Sequence, residues 1–245
     1  MSIPSPSPEA ASPWPLWRRW VAANTVAELV GLGGSAVVAV GLASTTDRMG
    51  VPGVVLMALA MIAIGTFLEG VLVGLLQGGV LRRALPAMPV KAWVGATALG
   101  AGIAWTLGML PSSVMQLVMD SGGAQPAASP PVISEALQVV MAASMGVVLG
   151  PFLAVPQWRV LRRYVARAGW WVPANSAAWA VGMVLVFQAA GSTPWPLTPA
   201  KLAVPVVLLC LAGAAVGAVH GAVLVWLLRQ GPPGSTSTGS LAGHS

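Results

Sequence analysis

Six apolar runs divide the chain: roughly Val21 to Ala43, Val54 to Leu81, Val94 to Leu110, Ala136 to Leu161, Trp171 to Ala190 and Val204 to Leu228. A helix needs about 20 residues to cross the hydrocarbon core of a bilayer, and these runs are close to or beyond that length. They admit few folds, because backbone in lipid must satisfy its own hydrogen bonds, and a helix does so within one segment. Composition agrees, since only 7% of the 245 residues are charged and 56% are hydrophobic, whereas a soluble chain carries about a quarter charged residues. The expected fold is an all-α integral membrane protein with six transmembrane helices forming one domain over 18–230. The lead-in 1–17, rich in Pro and Ser, and the tail 231–245 read as disordered. Arg18 and Arg19 before an apolar stretch resemble a signal peptide, but the stretch exceeds the usual h-region of about 7–15 residues, so an uncleaved anchor is expected. The second and fourth runs exceed one crossing and should tilt, kink or extend past the lipid. Pro151 and Pro156 give the fourth a physical cause for kinking.

The connections alternate in charge. Arg82, Arg83 and Lys91 lie between the second and third runs, and Arg159, Arg162, Arg163 and Arg167 lie around the connection between the fourth and fifth. The segment between the third and fourth carries Asp120 and Glu135 without Lys or Arg, and the other connections on that side hold only Arg48 and Lys201 as basic residues. Under the positive-inside rule both termini are cytoplasmic, and the expected location is a bacterial inner membrane. The formal charge of +6 therefore orients helices in the bilayer, and no nucleic-acid partner is expected. The single cysteine, Cys210, excludes an intramolecular disulfide framework. In the long outward segment Pro111 to Pro131, Val114, Met115, Leu117, Val118 and Met119 read as a short interfacial helix in a covering loop.

An internal repeat organises the six runs. Trp20-Val21-Ala22-Ala23-Asn24 aligns with Trp93-Val94-Gly95-Ala96-Thr97 and with Trp171-Val172-Pro173-Ala174-Asn175. The returning helices carry Gly70, Gln77, Leu81; Gly150, Gln157, Leu161; and Gly213, His220, Leu224, with a further small residue at Gly74, Ala154 and Gly217. Each returning helix thus presents a small-xxx-small face, which lets a neighbouring backbone approach closely. The chain reads as three tandem αα hairpins, about 18–83, 91–163 and 169–229, arranged about a pseudo-threefold axis or in a row. Gln157-Trp158-Arg159-Val160-Leu161-Arg162 followed by Trp170-Trp171-Val172-Pro173-Ala174-Asn175 resembles a recurrent pattern of uncharacterised bacterial multipass membrane proteins. The first copy departs from it with Gly78 in place of Trp, and the third with His220 in place of Gln. The resemblance implies the architecture alone.

Both signatures place a polar side chain one to two turns inside the cytoplasmic boundary. Asn24, Gln77, Thr97, Gln157, Asn175 and His220 should form one shallow layer, either pinning the helices by hydrogen bonds at about 0.6 kcal/mol each or lining a cytoplasmic vestibule. Glu28 and Glu69 break the threefold pattern, since only the first hairpin has them. Glu28 is one turn beyond Asn24 on the same face. At 1.5 Å per residue it lies roughly 15 Å from Arg18, and Glu69 lies roughly 20 Å from Arg82, so the two carboxyls reach similar depths. A carboxylate in the membrane costs several kcal/mol unless it faces a cavity or a partner, and no Lys or Arg stands at that depth. The pair therefore reads either as structural carboxyls, protonated or reached by water, or as a candidate coupling or ion site for a proton, cation or cationic ligand.

No HExxH, GxSxG or P-loop motif occurs, so neither an enzyme, a metal site nor a cofactor is expected. Gly31-Leu32-Gly33-Gly34 lies mid-span and reads as close helix packing. Trp14, Trp17, Trp20, Trp93, Trp170, Trp171 and Trp195 flank the spans, as an interfacial aromatic belt would. The functional expectation is a small-solute or ion transporter, channel or sensor. Its competitor is a structural or accessory subunit of a membrane complex. Partners are the bilayer and either a membrane protein or a second copy of the chain.

Overall fold

The structure is a computed structural model of the chain and describes residues 14–121, 134–192, 198–230 and 232. Its helices are α1 (Trp14–Thr46), α2 (Val51–Gly65), α3 (Leu72–Ala84), α4 (Val90–Ser121), α5 (Glu135–Leu161), α6 (Trp171–Gly191) and α7 (Ala203–Leu228), with no strand among the described residues. A π-helical turn, Thr66–Val71, joins α2 to α3 without a break. The result is six helical segments long and apolar enough to cross a membrane, in a multipass membrane protein. Residues 122–133 and 231–245, apart from Pro232, lie outside the described residues, as does Trp195.

Two boundaries differ from the sequence reading. Helix α1 begins at Trp14, not at Arg18, because the indole of Trp17 is tied to α7: its Nε1 donates to Ala218 O at 3.1 Å. The stretch Val114 to Val118 is not a separate interfacial helix. It continues α4 through Pro111, and Ser112 Oγ donates to Met109 O at 3.0 Å just after the proline. Helix α5 likewise runs through Pro151 and Pro156, each of which removes one backbone donor from the helix.

The spans form a ring in which each packs on the next in chain order and α7 closes onto α1. The small faces explain why the arrangement is a ring and not a row. A Cβ built on Gly70 would stand 2.8 Å from Cα of Ala98, one on Gly150 2.5 Å from Cα of Ser176, and one on Gly213 2.7 Å from Cα of Thr25. Ala98, Ser176 and Thr25 are the residues directly after Thr97, Asn175 and Asn24, so the three contacts occupy equivalent places in the repeat. Each returning helix therefore lays its glycine face on the outgoing helix that follows it, α3 on α4 and α5 on α6. The last, α7, has only α1 left to meet. These three approaches join different hairpins of the sequence reading: two fall across the basic connections and the third closes the ring.

The core lies toward the arginine-bearing end. Trp20, Trp93 and Trp171 are each 0% exposed and meet in mutual edge-to-face contacts, with ring centroids 6.4, 6.0 and 5.9 Å apart, a geometry aromatic pairs favour. Leu81, Leu161 and Leu224, the last positions of the returning signature, are buried in the same cluster. These tryptophans are thus not part of the interfacial belt expected from sequence, whereas Trp14 and Trp170 are exposed. The physical reason is periodicity: Trp20, Trp93 and Trp171 stand one turn before Asn24, Thr97 and Asn175, on the face that the ring turns inward.

Candidate functional site

All six members of the predicted polar layer, together with Glu28 and Glu69, line one cavity directly above the tryptophan triad. Each of the eight is buried. The amides and indoles are joined by a repeated hydrogen-bond pattern. Trp93 Nε1 donates to Gln77 Oε1 at 3.2 Å, and Gln77 Nε2 donates to Asn24 Oδ1 at 2.8 Å. One unit further round, Trp171 Nε1 donates to Gln157 Oε1 at 2.9 Å, and Gln157 Nε2 donates to Thr97 Oγ1 at 2.9 Å. Asn24 Nδ2, Thr97 Oγ1 and Asn175 Nδ2 each donate back one turn, to the carbonyls of Trp20, Trp93 and Trp171 at 2.8, 2.9 and 2.8 Å. With the indoles beneath it, this layer is closed toward the basic end and is not an open vestibule on that side.

The pattern fails at its third member. His220 occupies the place of Gln77 and Gln157, between Trp20 and Asn175, and among the described residues neither Nδ1 nor Nε2 has a hydrogen-bond partner. Trp20 Nε1 is left without an acceptor in consequence. The imidazole instead lies over Trp171, with ring centroids 5.2 Å apart and planes inclined by 36°. Most buried polar groups in proteins are paired, so three unpaired atoms at one broken repeat mark the place where the structural rule gives way.

The acidic residues occupy two further departures. Glu28 lies one turn above Asn24, where the other copies have Ala101 and Trp179; Glu69 precedes Gly70, where the others have Leu149 and Ala212. Gly31 allows α1 to approach the backbone of Glu69, a Cβ there standing 3.0 Å from its Cα. Glu69 sits inside the π-helical turn, a geometry often found at functional sites. That turn accounts for a change of register: Gly65 and Gly70 both face α4, although they are five residues apart where an α-helix repeats after about 3.6. Gly65 lies against the indole of Trp105, which a Cβ would overlap, and Trp105 Nε1 donates to Glu69 Oε2 at 2.7 Å. Glu28 Oε2 has no hydrogen-bond partner among the described residues. Ser35 Oγ, two turns further along α1, also lacks one.

The cavity measures about 30 Å³, room for about two waters where one needs roughly 10–15 Å³. Its committed acceptors are the amide oxygens of Gln77 and Asn24, the Gln157 carbonyl and the Thr97 hydroxyl. Its uncommitted ones among the described residues include Glu28 Oε2 and the imidazole of His220, together with Asn175 Oδ1 and the second oxygen of Glu69, which no hydrogen bond reaches. No group of three His, Cys, Asp or Glu side chains among the described residues is arranged to hold a metal ion. On the far side of Glu69 opens a second, apolar chamber of about 220 Å³, walled by α4, α5 and α6 and lined by Trp105, Trp179 and three methionines. Sequence reasoning passed over Trp105, Trp179 and this chamber. Trp179 was within reach, being one turn beyond Asn175 as Glu28 is beyond Asn24, but Trp105 finds Glu69 only across a helix crossing that spacing does not encode. No protein-family model matches the chain, and no curated protein or solved structure matches it at a significant level.

Proposed function

We propose that this chain is a proton-coupled transporter of the bacterial inner membrane, with both termini cytoplasmic and with Glu28, Glu69 and His220 as the groups that take up and release the proton. The observation that carries the reading is the pairing of two buried carboxyls in one small cavity beside an unpartnered histidine. A charge at this depth requires a compensating proton or cation. Of the neutral oxygens that a metal cation would recruit, those of Gln77, Gln157, Asn24 and Thr97 are already engaged by Trp93, Trp171, Gln77 and Gln157, which leaves the single amide oxygen of Asn175, whereas the carboxyls and the imidazole are proton acceptors. The sealed tryptophan end would be cytoplasmic by the charge of its loops. No covalent chemistry is assigned to the chain.

Reconstitution into liposomes holding a pH-sensitive dye tests this reading. Wild-type protein should dissipate an imposed pH gradient in the presence of its solute or of a membrane potential, and Glu28→Gln with Glu69→Gln should abolish that flux while leaving the elution profile unchanged. Equal flux from wild type, the double variant and empty liposomes would sink it. The hydrogen-bonded indole and amide pattern favours the alternative of an accessory subunit, and a stoichiometric partner copurifying in mild detergent, without flux, would establish that alternative.

A further inference from the structure

We propose that the chamber beyond Glu69 binds a small organic ammonium ion with one compact apolar body, using Glu69 as its counter-ion. This deepens the proton-coupled reading, on which it rests, by naming the class of solute. The chamber lies at the right depth for a membrane carrier. Trp179 stands eight residues beyond Trp171, and Trp105 twelve beyond Trp93, which places the walls roughly 12–18 Å above the tryptophan triad at 1.5 Å per residue. That is near the middle of a hydrocarbon core of about 30 Å.

Three features of the lining select the ligand. Glu69 is the one charged side chain on it, so an anion is repelled and a cation supplies what a buried carboxylate lacks. Trp105 already donates to Oε2, which fixes the carboxylate plane and leaves the second oxygen to accept from an ammonium. Trp105 and Trp179 present indole surface, which attracts cations at its face, and Met109, Met145 and Met183 supply soft, adaptable walls. With so little other polar lining, a sugar or a zwitterionic amino acid would lose hydration without recovering hydrogen bonds. The volume of about 220 Å³ exceeds the roughly 150 Å³ apolar cavity that admits benzene, so one ring with a short aminoalkyl arm fits.

Proton and ammonium then compete for the same carboxyl, and that competition is the coupling. When the ammonium docks, the Glu69 proton leaves toward the adjoining cavity. The titratable groups there are Glu28 from α1 and His220 from α7; none faces Glu69 from α4, α5 or α6 among the residues lining the chamber.

The test uses the full-length protein in detergent, titrated with phenethylammonium chloride and, in parallel, with the neutral 2-phenylethanol, following heat and tryptophan fluorescence. Saturable binding of one ammonium per chain, at least tenfold tighter than the alcohol, is expected. Glu69→Gln should remove that preference, and Leu149→Trp, which fills the chamber, should remove binding of both. Equal affinity for alcohol and ammonium, or no binding of either, overturns the inference; the comparison on wild type needs no variant to fold. Proton flux that depends on both carboxyls without ammonium binding sinks this inference alone. Selective ammonium binding with flux indifferent to the carboxyls sinks the proton reading and leaves the binding site standing.

Discussion

Replacing His220 by Gln should make this protein more stable and less active. In the two intact copies a Gln at this position accepts from an indole and donates to the Asn or Thr beside it. In His220→Gln, the new Oε1 would face Trp20 Nε1, which has no acceptor among the described residues, and the new Nε2 would face Asn175. Two membrane hydrogen bonds at about 0.6 kcal/mol each give about 1.2 kcal/mol. Relieving buried unpaired groups adds about 1–2 kcal/mol, since each such group costs about 1–3 kcal/mol when left alone. Against this stands the lost contact of the imidazole with Trp171, worth about 0.5–1.5 kcal/mol for an aromatic pair. The net gain is about 1–3 kcal/mol, each kcal/mol being worth about 2–4 °C in midpoint for a chain of this size, read by tryptophan fluorescence during a thermal ramp in detergent. The same variant should lose most proton flux, the trade expected when a functional departure is returned to the structural rule. An unchanged or lowered midpoint would refute the account of the broken repeat, because it would mean that water already satisfies these atoms. A higher midpoint with undiminished flux would remove His220 from the proton path and leave it a structural irregularity.

Further outcomes follow from the same geometry. Gln157→Leu should strand Trp171 Nε1 and lower stability by about 1–3 kcal/mol, measured by the same ramp. Gly213→Leu should prevent α7 from seating on α1, since even a Cβ would stand 2.7 Å from the Thr25 backbone; overpacking of this kind costs about 1–3 kcal/mol or more, and loss of the monodisperse peak on size exclusion is the readout. Gly65→Val should displace the Trp105 indole from its seat and so weaken discrimination between ammonium and alcohol while leaving the tryptophan triad intact; an unchanged preference would show that Trp105 does not orient Glu69. Single cysteines at Asp120 and Arg163 should label from opposite faces of the membrane, and labelling from one face would overturn the assigned orientation.

Much of the architecture was legible because lipid leaves a helix few options. The spans appear as apolar runs, and the layer of Asn24, Gln77, Thr97, Gln157, Asn175 and His220 appears as polar residues recurring at matched depth. The tryptophans were harder. Trp near a helix end is usually interfacial, and that expectation outweighed the one-turn spacing that put Trp20 on the same face as Asn24. Ring closure was not legible, since a glycine face says that something approaches without saying which helix. Glu69 was visible as a charge in an apolar run, but its partner Trp105 was not. The π-helical turn around Glu69 shifts the facing of everything before it, and no local residue pattern announces that extra residue.

The position of the site follows from where the repeat is broken. Had the three copies been identical, each Gln would have answered one indole and one small polar residue, and the interior would have closed with every acceptor engaged. The proposed function rests on the departures, and they are not scattered: Glu28 on α1 and Glu69 between α2 and α3 belong to consecutive spans, and His220 on α7 joins them because the ring closes α7 onto α1. The opposite arc, α4 to α6, keeps its Gln–Trp pair at the base and carries the apolar chamber above it. Glu69 stands at the seam, facing the polar cavity on one side and the chamber on the other. A residue that contacts both compartments can exchange a proton on one side for a cation on the other only if it remains between them. That is why its tether to Trp105, and the glycine that gives the indole room, matter as much to this mechanism as the carboxyl itself.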